Sequence, residues 1–271
     1  GEWYAWHLTG APKPKFLQDQ VMYYVMGEGA NEWRAAPSLN AIPVEETVFS
    51  LTSASASPTS VAALGRLSGS SGRGAIATYR FDPTDVSKAP LGRWYEGDFA
   101  LYSDDIDAID GEAFVFESDV FNHPVEIIGR PRFTANLGIS TPDTDFQARI
   151  YEILPDGSSV FLGESRGRAR HRESVEREAV IENDHLLPYN FNNFSFVSRR
   201  LQNGSKLRFV FGAPNSIYIQ RNYNAAKPVA EQTPDDALTV EVSMRLGGRD
   251  GARLIIPMRK AVASSNEGTV Q

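Results

Sequence analysis

The stretch VFLGESRGRARHRES, Val160 to Ser174, decides between two incompatible folds. It contains Gly163-Glu164-Ser165-Arg166-Gly167, a G-x-S-x-G string of the kind that seats a nucleophilic serine on a strand-to-helix corner, where the first helical N–H groups face an oxyanion. That reading requires a helix with an apolar stripe after the serine. The sequence supplies Arg166, Arg168, Arg170 and Arg172 at every second position instead. On an extended chain these four share one face, opposite Gly167, Ala169 and His171. A catalytic relay also needs an Asp behind a His, and Asp184 and His185, adjacent in sequence, do not provide that arrangement. Ser165 is therefore read as a polar residue of a sheet strand, and no catalytic residue is assigned.

Two-residue alternation recurs on both sides of this stretch. In RFTANLGIS (Arg132 to Ser140), Phe133, Ala135, Leu137 and Ile139 face one way; in LTVEVSMRL (Leu238 to Leu246), Leu238, Val240, Val242, Met244 and Leu246 do. FQARI (Phe146 to Ile150) and KLRFVF (Lys206 to Phe211) repeat the pattern. VMYYVM (Val21 to Met26), FVFES (Phe114 to Ser118) and ARLIIPM (Ala252 to Met258) carry consecutive apolar residues and read as more fully buried strands. Pro155-Asp156-Gly157 marks a hairpin, and Asn203-Gly204 and Gly247-Gly248 mark further breaks. Many strands with little helix between them predict an all-β fold, an antiparallel β-sandwich of jelly-roll type. Residues 2–9, EWYAWHLT, read as the end of a helix; 53–74, rich in Ser and Gly, as a loop; 81–112 as a long, partly acidic connection; and 262–271 as a fraying tail.

The 271 residues carry 27 Lys plus Arg against 34 Asp plus Glu, a net charge of −7, and no cysteine. The acidic balance argues against a nucleic-acid partner, and the missing cysteines exclude disulfides and thiolate metal sites. No apolar run has the length of a membrane span, so no membrane partner is expected. Compartment is left unassigned. The chain opens on Gly1 rather than Met, which reads either as a cleavage scar or as a start inside a longer polypeptide.

Several segments, in order, resemble the C-terminal domain of the CocE/NonD hydrolase family. VMYYVMGEGANEWRAAPSL carries that family's strand, Gly27 and the Trp33-Arg34 pair; YRFDPTD (Tyr79 to Asp85) carries its Tyr-x-x-Asp-Pro element; DTDFQARIYEILPDG (Asp143 to Gly157) is the most specific match. FVFESDVF, RARHRES, NGSKLRFVF and ARLIIPM continue it, so that the resemblance covers about residues 20 to 260. Ala36-Pro37, where an aromatic commonly precedes the proline, and the composition of 53–74 depart from the pattern. The resemblance implies a galactose-binding-like jelly roll, noncatalytic, from a serine hydrolase of the Xaa-Pro dipeptidyl-peptidase, cocaine esterase or α-amino acid ester hydrolase type. It implies residues 1–19 as the remnant of a closing helix and linker, 20–260 as the sandwich and 261–271 as a polar tail. The implied partner is the α/β-hydrolase domain that holds the triad, with a homo-oligomer as a further option and no cofactor. The alternative is an independent carbohydrate-binding sandwich module; a complete small serine hydrolase is the weakest reading.

Remaining candidates are weighed on residue chemistry. Trp94 and Tyr95 are the residues assigned to the substrate-cleft or ligand-facing side, and Tyr189, Phe191, Tyr218 and Tyr223, also in or near predicted loops, suit either a ligand or the core. The arginine series suits an anion or, preferentially, cross-strand pairing with carboxylates. Asp104, Asp105, Asp107 and Asp110 supply oxygen ligands but fail calcium-loop spacing, since Ile109 takes the third ligand position counted from Asp105. His7, His123, His171 and His185 are scattered, and no metal site is assigned.

Overall fold

A computed structural model describes residues 1–53, 65–87, 112–216 and 219–261. An eight-residue helix, α1 (Glu2–Thr9), ends on Gly10, whose left-handed backbone (φ 71°) lets its N–H donate to the carbonyl of Ala5. Among the described residues every long element after it is a strand: β1 (Val21–Gly27), β2 (Glu32–Ala36), β3 (Glu45–Thr52), β4 (Gly65–Ser68), β5 (Ala75–Phe81), β6 (Ala113–Ser118), β7 (Val125–Gly129), β8 (Arg132–Ile139), β9 (Asp145–Ile153), β10 (Ser159–Arg168), β11 (Leu187–Phe191), β12 (Val197–Leu201), β13 (Lys206–Gly212), β14 (Val240–Leu246) and β15 (Arg253–Lys260).

These strands build the predicted sandwich. One layer runs β5-β14-β8-β11; the other runs β10-β9-β13-β6-β4-β3-β15-β7-β12-β1-β2, and the two are hydrogen-bonded where β8 meets β15. The inner faces meet in aromatic contacts. Phe133 of β8 lies 4.7 and 5.3 Å, ring centre to ring centre, from Phe209 and Phe211 of β13. Phe146 of β9 lies 5.4 Å from Tyr189 of β11. All five rings are buried, which is why the alternating residues of β8, β9, β13 and β14 specify the register. The Pro155-Asp156-Gly157 turn joins β9 to β10 with Gly157 at φ 87°.

Five local expectations are corrected. VMYYVM alternates, because Tyr23 and Val25 point into the core while Tyr24 and Met26 are exposed. ARLIIPM alternates likewise along β15. Leu238 falls outside β14 and is exposed. The Ser/Gly-rich stretch contains a strand, β4, whose four residues are too few to show a period. The sheet is also not wholly antiparallel: β4 runs parallel to β6, and β1 parallel to β12. The second parallel pair brings backbones so close that a Cβ on Gly27 (φ 114°) would run into the carbonyl oxygen of Arg200.

Candidate functional site

Ser165 sits in the middle of β10, opposite Ala148 of β9, at 2% exposure. Its hydroxyl donates to Oδ1 of Asn193, and Asn193 Nδ2 donates to the carbonyl of Arg166 at 3.4 Å. After the strand comes a single 3-10 turn, Ala169–His171, rather than a helix. The one histidine nearby in sequence, His171, has Nδ1 3.2 Å from the carbonyl of Ser174 and Nε2 3.6 Å from Glu178. A nucleophile elbow needs the helix for its oxyanion donors and an imidazole for its base, so this serine is a structural hydrogen-bond donor.

The arginine series is taken up by carboxylates, as expected, but on two different surfaces. Arg166 pairs with Glu164 at 2.6 Å, and Arg168 forks onto Asp145 across the strand pair at 2.7 and 2.9 Å. The strand ends there. Arg170 turns inward and, at 2% exposure, is one of the most buried side chains of the molecule. Its Nε donates to Asp143 at 2.7 Å, Nη1 to Glu178 at 3.0 Å, and Nη2 to the carbonyls of Ala225 and Lys227 at 2.8 and 2.9 Å. Asn222 completes the cluster, donating to Asp143 and Asp145 at 2.8 and 2.9 Å. Strict alternation would have left Arg170 beside Arg168 on an exposed face. The signal that could have found its burial is Asp143, two residues before Asp145, offering a second carboxylate in step with the second arginine.

Two concavities have arginines on their walls. One of 280 Å³ is lined by Phe146, Arg166, Arg168, His171, Pro214 and Ile219, among others. Its guanidiniums already face Glu164 and Asp145, so it presents no uncompensated cation to an anion. A larger one, of 540 Å³, lies among Glu28, Gly29, Pro124, Arg200, Gln202 and Asn203. Arg200 on its wall donates to the carbonyl of Gly29 and to Glu126. Neither holds a nucleophile beside a base. Among the described residues no cluster of His, Asp and Glu has the makings of a metal site.

A dense ion cluster among the described residues is structural. Glu126 of β7, with no solvent exposure, accepts from Arg200 of β12 at 2.8 Å, from Arg259 of β15 at 2.8 Å and from Arg34 of β2 at 2.7 and 2.9 Å. Arg200 and Arg259 are its register partners on either side, while Arg34 reaches it from β2, beyond β12 and β1 in the strand order. Burial alone would push this carboxyl up, but the three guanidiniums outweigh it and hold it at about 2. This ion cluster, with Tyr23, Val25, Ala36, Ile42 and Ile128 packed beside it, fixes the β1–β2 hairpin onto the sandwich.

Of the other aromatic candidates, Tyr189 and Phe191 are core residues and Tyr223 is half-buried. Trp94, Tyr95, Tyr218 and the acidic cluster Asp104, Asp105, Asp107 and Asp110 lie outside the described residues. The exposed large apolar residues include two groups, Tyr24, Met26 and Trp33 of the hairpin and Trp3, Tyr4 and Leu8 of α1, beside others spread over the surface such as Phe16, Leu39 and Val175.

Comparison with known proteins agrees with this layout. The cocaine esterase of Rhodococcus sp. (strain MB1 Bresler) is 25% identical over 261 residues, 93% of this chain and 43% of that protein. Among solved structures, an aminopeptidase from the marine sediment archaeon Thaumarchaeota archaeon superposes with a TM-score of 0.73 at 16% identity, over 96% of this chain and 43% of its own. An α-amino acid ester hydrolase superposes with a TM-score of 0.73 at 17% identity, over 95% of this chain and 44% of its own. A CocE/NonD family hydrolase from Staphylococcus aureus gives 0.63 at 15% identity, over 94% of this chain and 44% of its own. At such identities the structural likeness speaks for the fold alone, and the chain spans less than half the length of each of these proteins. The model of the X-Pro dipeptidyl-peptidase C-terminal non-catalytic domain matches residues 16–244, and the chain belongs to that family.

Proposed function

We propose that this chain is the noncatalytic β-sandwich of a serine hydrolase that cleaves ester or amide bonds of aminoacyl or Xaa-Pro type, packing on an α/β-hydrolase domain and helping to wall its substrate cleft. The observation that carries it is Ser165: the chain's G-x-S-x-G serine is spent inside a strand on a hydrogen bond to Asn193, while the family to which the chain belongs is described as non-catalytic. The acyl-serine chemistry then falls to a serine on other polypeptide. Residues 1–19 serve as the closing helix and linker toward that domain, 20–260 as the sandwich and 261–271 as its tail.

The test compares this 271-residue chain with the polypeptide encoded by its whole gene, using an activated aryl ester, an aminoacyl anilide and a fluorophosphonate probe. The expected result is turnover and labelling in the whole polypeptide, with the label outside these residues, and neither in the chain alone. A fluorophosphonate adduct on Ser165 accompanied by turnover overturns the reading. Trp94 and Tyr95 are proposed to face the cleft. Trp94→Ala and Tyr95→Ala should each raise KM of the whole enzyme several-fold, with a smaller change in kcat, as loss of a stacking contact to bound substrate does. An unchanged KM removes these two residues from the cleft.

A further inference from the structure

The strand β1, VMYYVMG, has no charged residue on either side, the composition of a strand covered on both faces. The chain covers one. Tyr23 and Val25 are buried against Ile42, Ala36 and Ile128. On the other face Tyr24 is 38% exposed, Met26 50% and Trp33, its neighbour on β2, 67%. Tyr24 and Trp33 are register partners whose rings meet edge to face at 5.3 Å, and Met22 and the exposed Ala35 are the next pair along. The result is an outward-facing apolar ribbon without a charge, in a chain whose net charge is −7. Scattered single apolar residues are ordinary on a surface; a contiguous, edge-on set with aromatics at its centre is the composition of an interface core.

The two ends of the long layer differ in the same sense. β10, at one end, is interrupted by a bulge between Phe161 and Gly163 and carries the paired charges of Glu164, Arg166 and Arg168, the usual protections of a free edge. β2, at the other end, has neither bulge nor outward charge at Trp33 and Ala35. The ribbon is nevertheless held rigidly, because Arg34 anchors it to Glu126 from the inner face. It is a stiff, open, apolar surface.

We propose that this ribbon, Met22, Tyr24, Met26, Trp33 and Ala35, is the docking face for the α/β-hydrolase domain, an assignment that rests on the function proposed above. Two observations select that occupant over a second copy of this chain. The proteins that share the fold run to more than twice its length, with this chain covering 43–44% of each. The segment leading into the ribbon also has an unsatisfied surface of its own: α1 has no buried residue and exposes Trp3, Tyr4 and Leu8. Only residues 10–20 separate α1 from β1, a tether of at most about 40 Å when extended. Two uncovered aromatic surfaces so close along the chain are met by one body seated against both.

Methionine oxidation reads this directly, since the four methionines divide into Met22 and Met26 on the ribbon and Met244 and Met258 in the core. Dilute hydrogen peroxide is applied to the 271-residue chain and to the whole-gene polypeptide, and sulfoxide is measured by peptide mass. Expected is oxidation of Met26 at least tenfold slower in the whole polypeptide, with Met244 and Met258 slow in both. Trp33→Asp should return Met26 oxidation in the whole polypeptide to the rate of the free chain, while the free variant melts as its parent does. Equal Met26 rates in the two forms, with the whole polypeptide active on esters, overturn the docking face and leave the proposed function standing. Protection of Met26 in a whole polypeptide that hydrolyses nothing and takes no serine probe overturns the occupant together with that function. Protection that grows with concentration of the 271-residue chain alone identifies a second copy and also overturns the proposal.

Discussion

A carboxylate shared by three guanidiniums, as at Glu126, ties its stability to pH with a definite sign. The folded state holds Glu126 at about 2, below its ordinary value of 4.5. The stabilisation is therefore complete above about pH 4.5 and is lost as the pH falls through about 2. A shift of this size corresponds to about 3 kcal/mol. Glu126→Gln leaves Arg34, Arg200 and Arg259 with a neutral partner and should lower the unfolding free energy at pH 7 by about 3–5 kcal/mol. In urea titrations the gap between parent and variant should close as pH is taken from 5 to 2, because the parent's carboxyl is then protonated too; a gap of constant size refutes the assignment. Tyr79 makes the opposite case. Its hydroxyl is buried, finds no partner among the described residues, and burial pushes its ionisation far up. An orphaned hydroxyl costs desolvation and returns nothing, so Tyr79→Phe should be neutral or stabilising by up to about 1 kcal/mol. A clear loss of stability on thermal unfolding would show that the hydroxyl has a partner after all.

Strands were legible where one face meets the core and the other meets water, because the period-two pattern is then written in polarity. β8 and β14 are such strands, and the Pro155-Asp156-Gly157 turn between β9 and β10 is local chemistry that needs no tertiary knowledge. β4 was not legible: its strand state depends on β3 and β6, neither adjacent to it along the chain in a way composition reveals, and GRLS has no period of its own. The same non-local dependence hid the parallel pairs and the outward face of β1. At the candidate site, the absence of an elbow at Ser165 was readable from the arginines that follow it, whereas the inward turn of Arg170 was only hinted at by Asp143, because its partners Asp143, Glu178 and the carbonyls of Ala225 and Lys227 come from three separate segments. That turn makes a prediction for the element it closes. Arg170→Lys keeps the charge but loses the planar fork, and one ammonium cannot reach Asp143, Glu178 and both carbonyls together. The expected cost is about 2–4 kcal/mol, with limited proteolysis first cutting the segments 172–186 and 222–238 that Arg170 ties down. Cleavage no faster than in the parent would mean that the loops are held by other contacts.

Across the whole molecule, the strands that complete the sandwich come from opposite ends of the sequence. β15 pairs with β3 over Arg253 to Met258 on one side and with β7 and β8 on the other, so it lies inside the sheet although it is the last described strand. Its Leu254, Ile256 and Met258 belong to the main core cluster. Removing it would expose the edges of β3, β7 and β8 at once and empty three core positions, each worth about 2–5 kcal/mol, a loss that together is as large as the whole stability of an ordinary domain, about 5–15 kcal/mol. α1 is the same length as β15 and has no buried residue. The two deletions should therefore differ sharply in the isolated chain. Loss of residues 252–271 should abolish cooperative thermal unfolding and near-ultraviolet circular dichroism, leaving an aggregating polypeptide with unpaired edges. Loss of residues 1–9 should leave a single transition within about 2 °C of the parent. On the proposed docking, the second deletion should instead be damaging in the whole-gene polypeptide, where α1 would pack against the hydrolase domain. A 1–9 deletion that melts the isolated chain as badly as removal of β15 would mean that the helix is part of the sandwich's own folding unit, and the aromatic surface of α1 would then cease to point to a neighbouring domain.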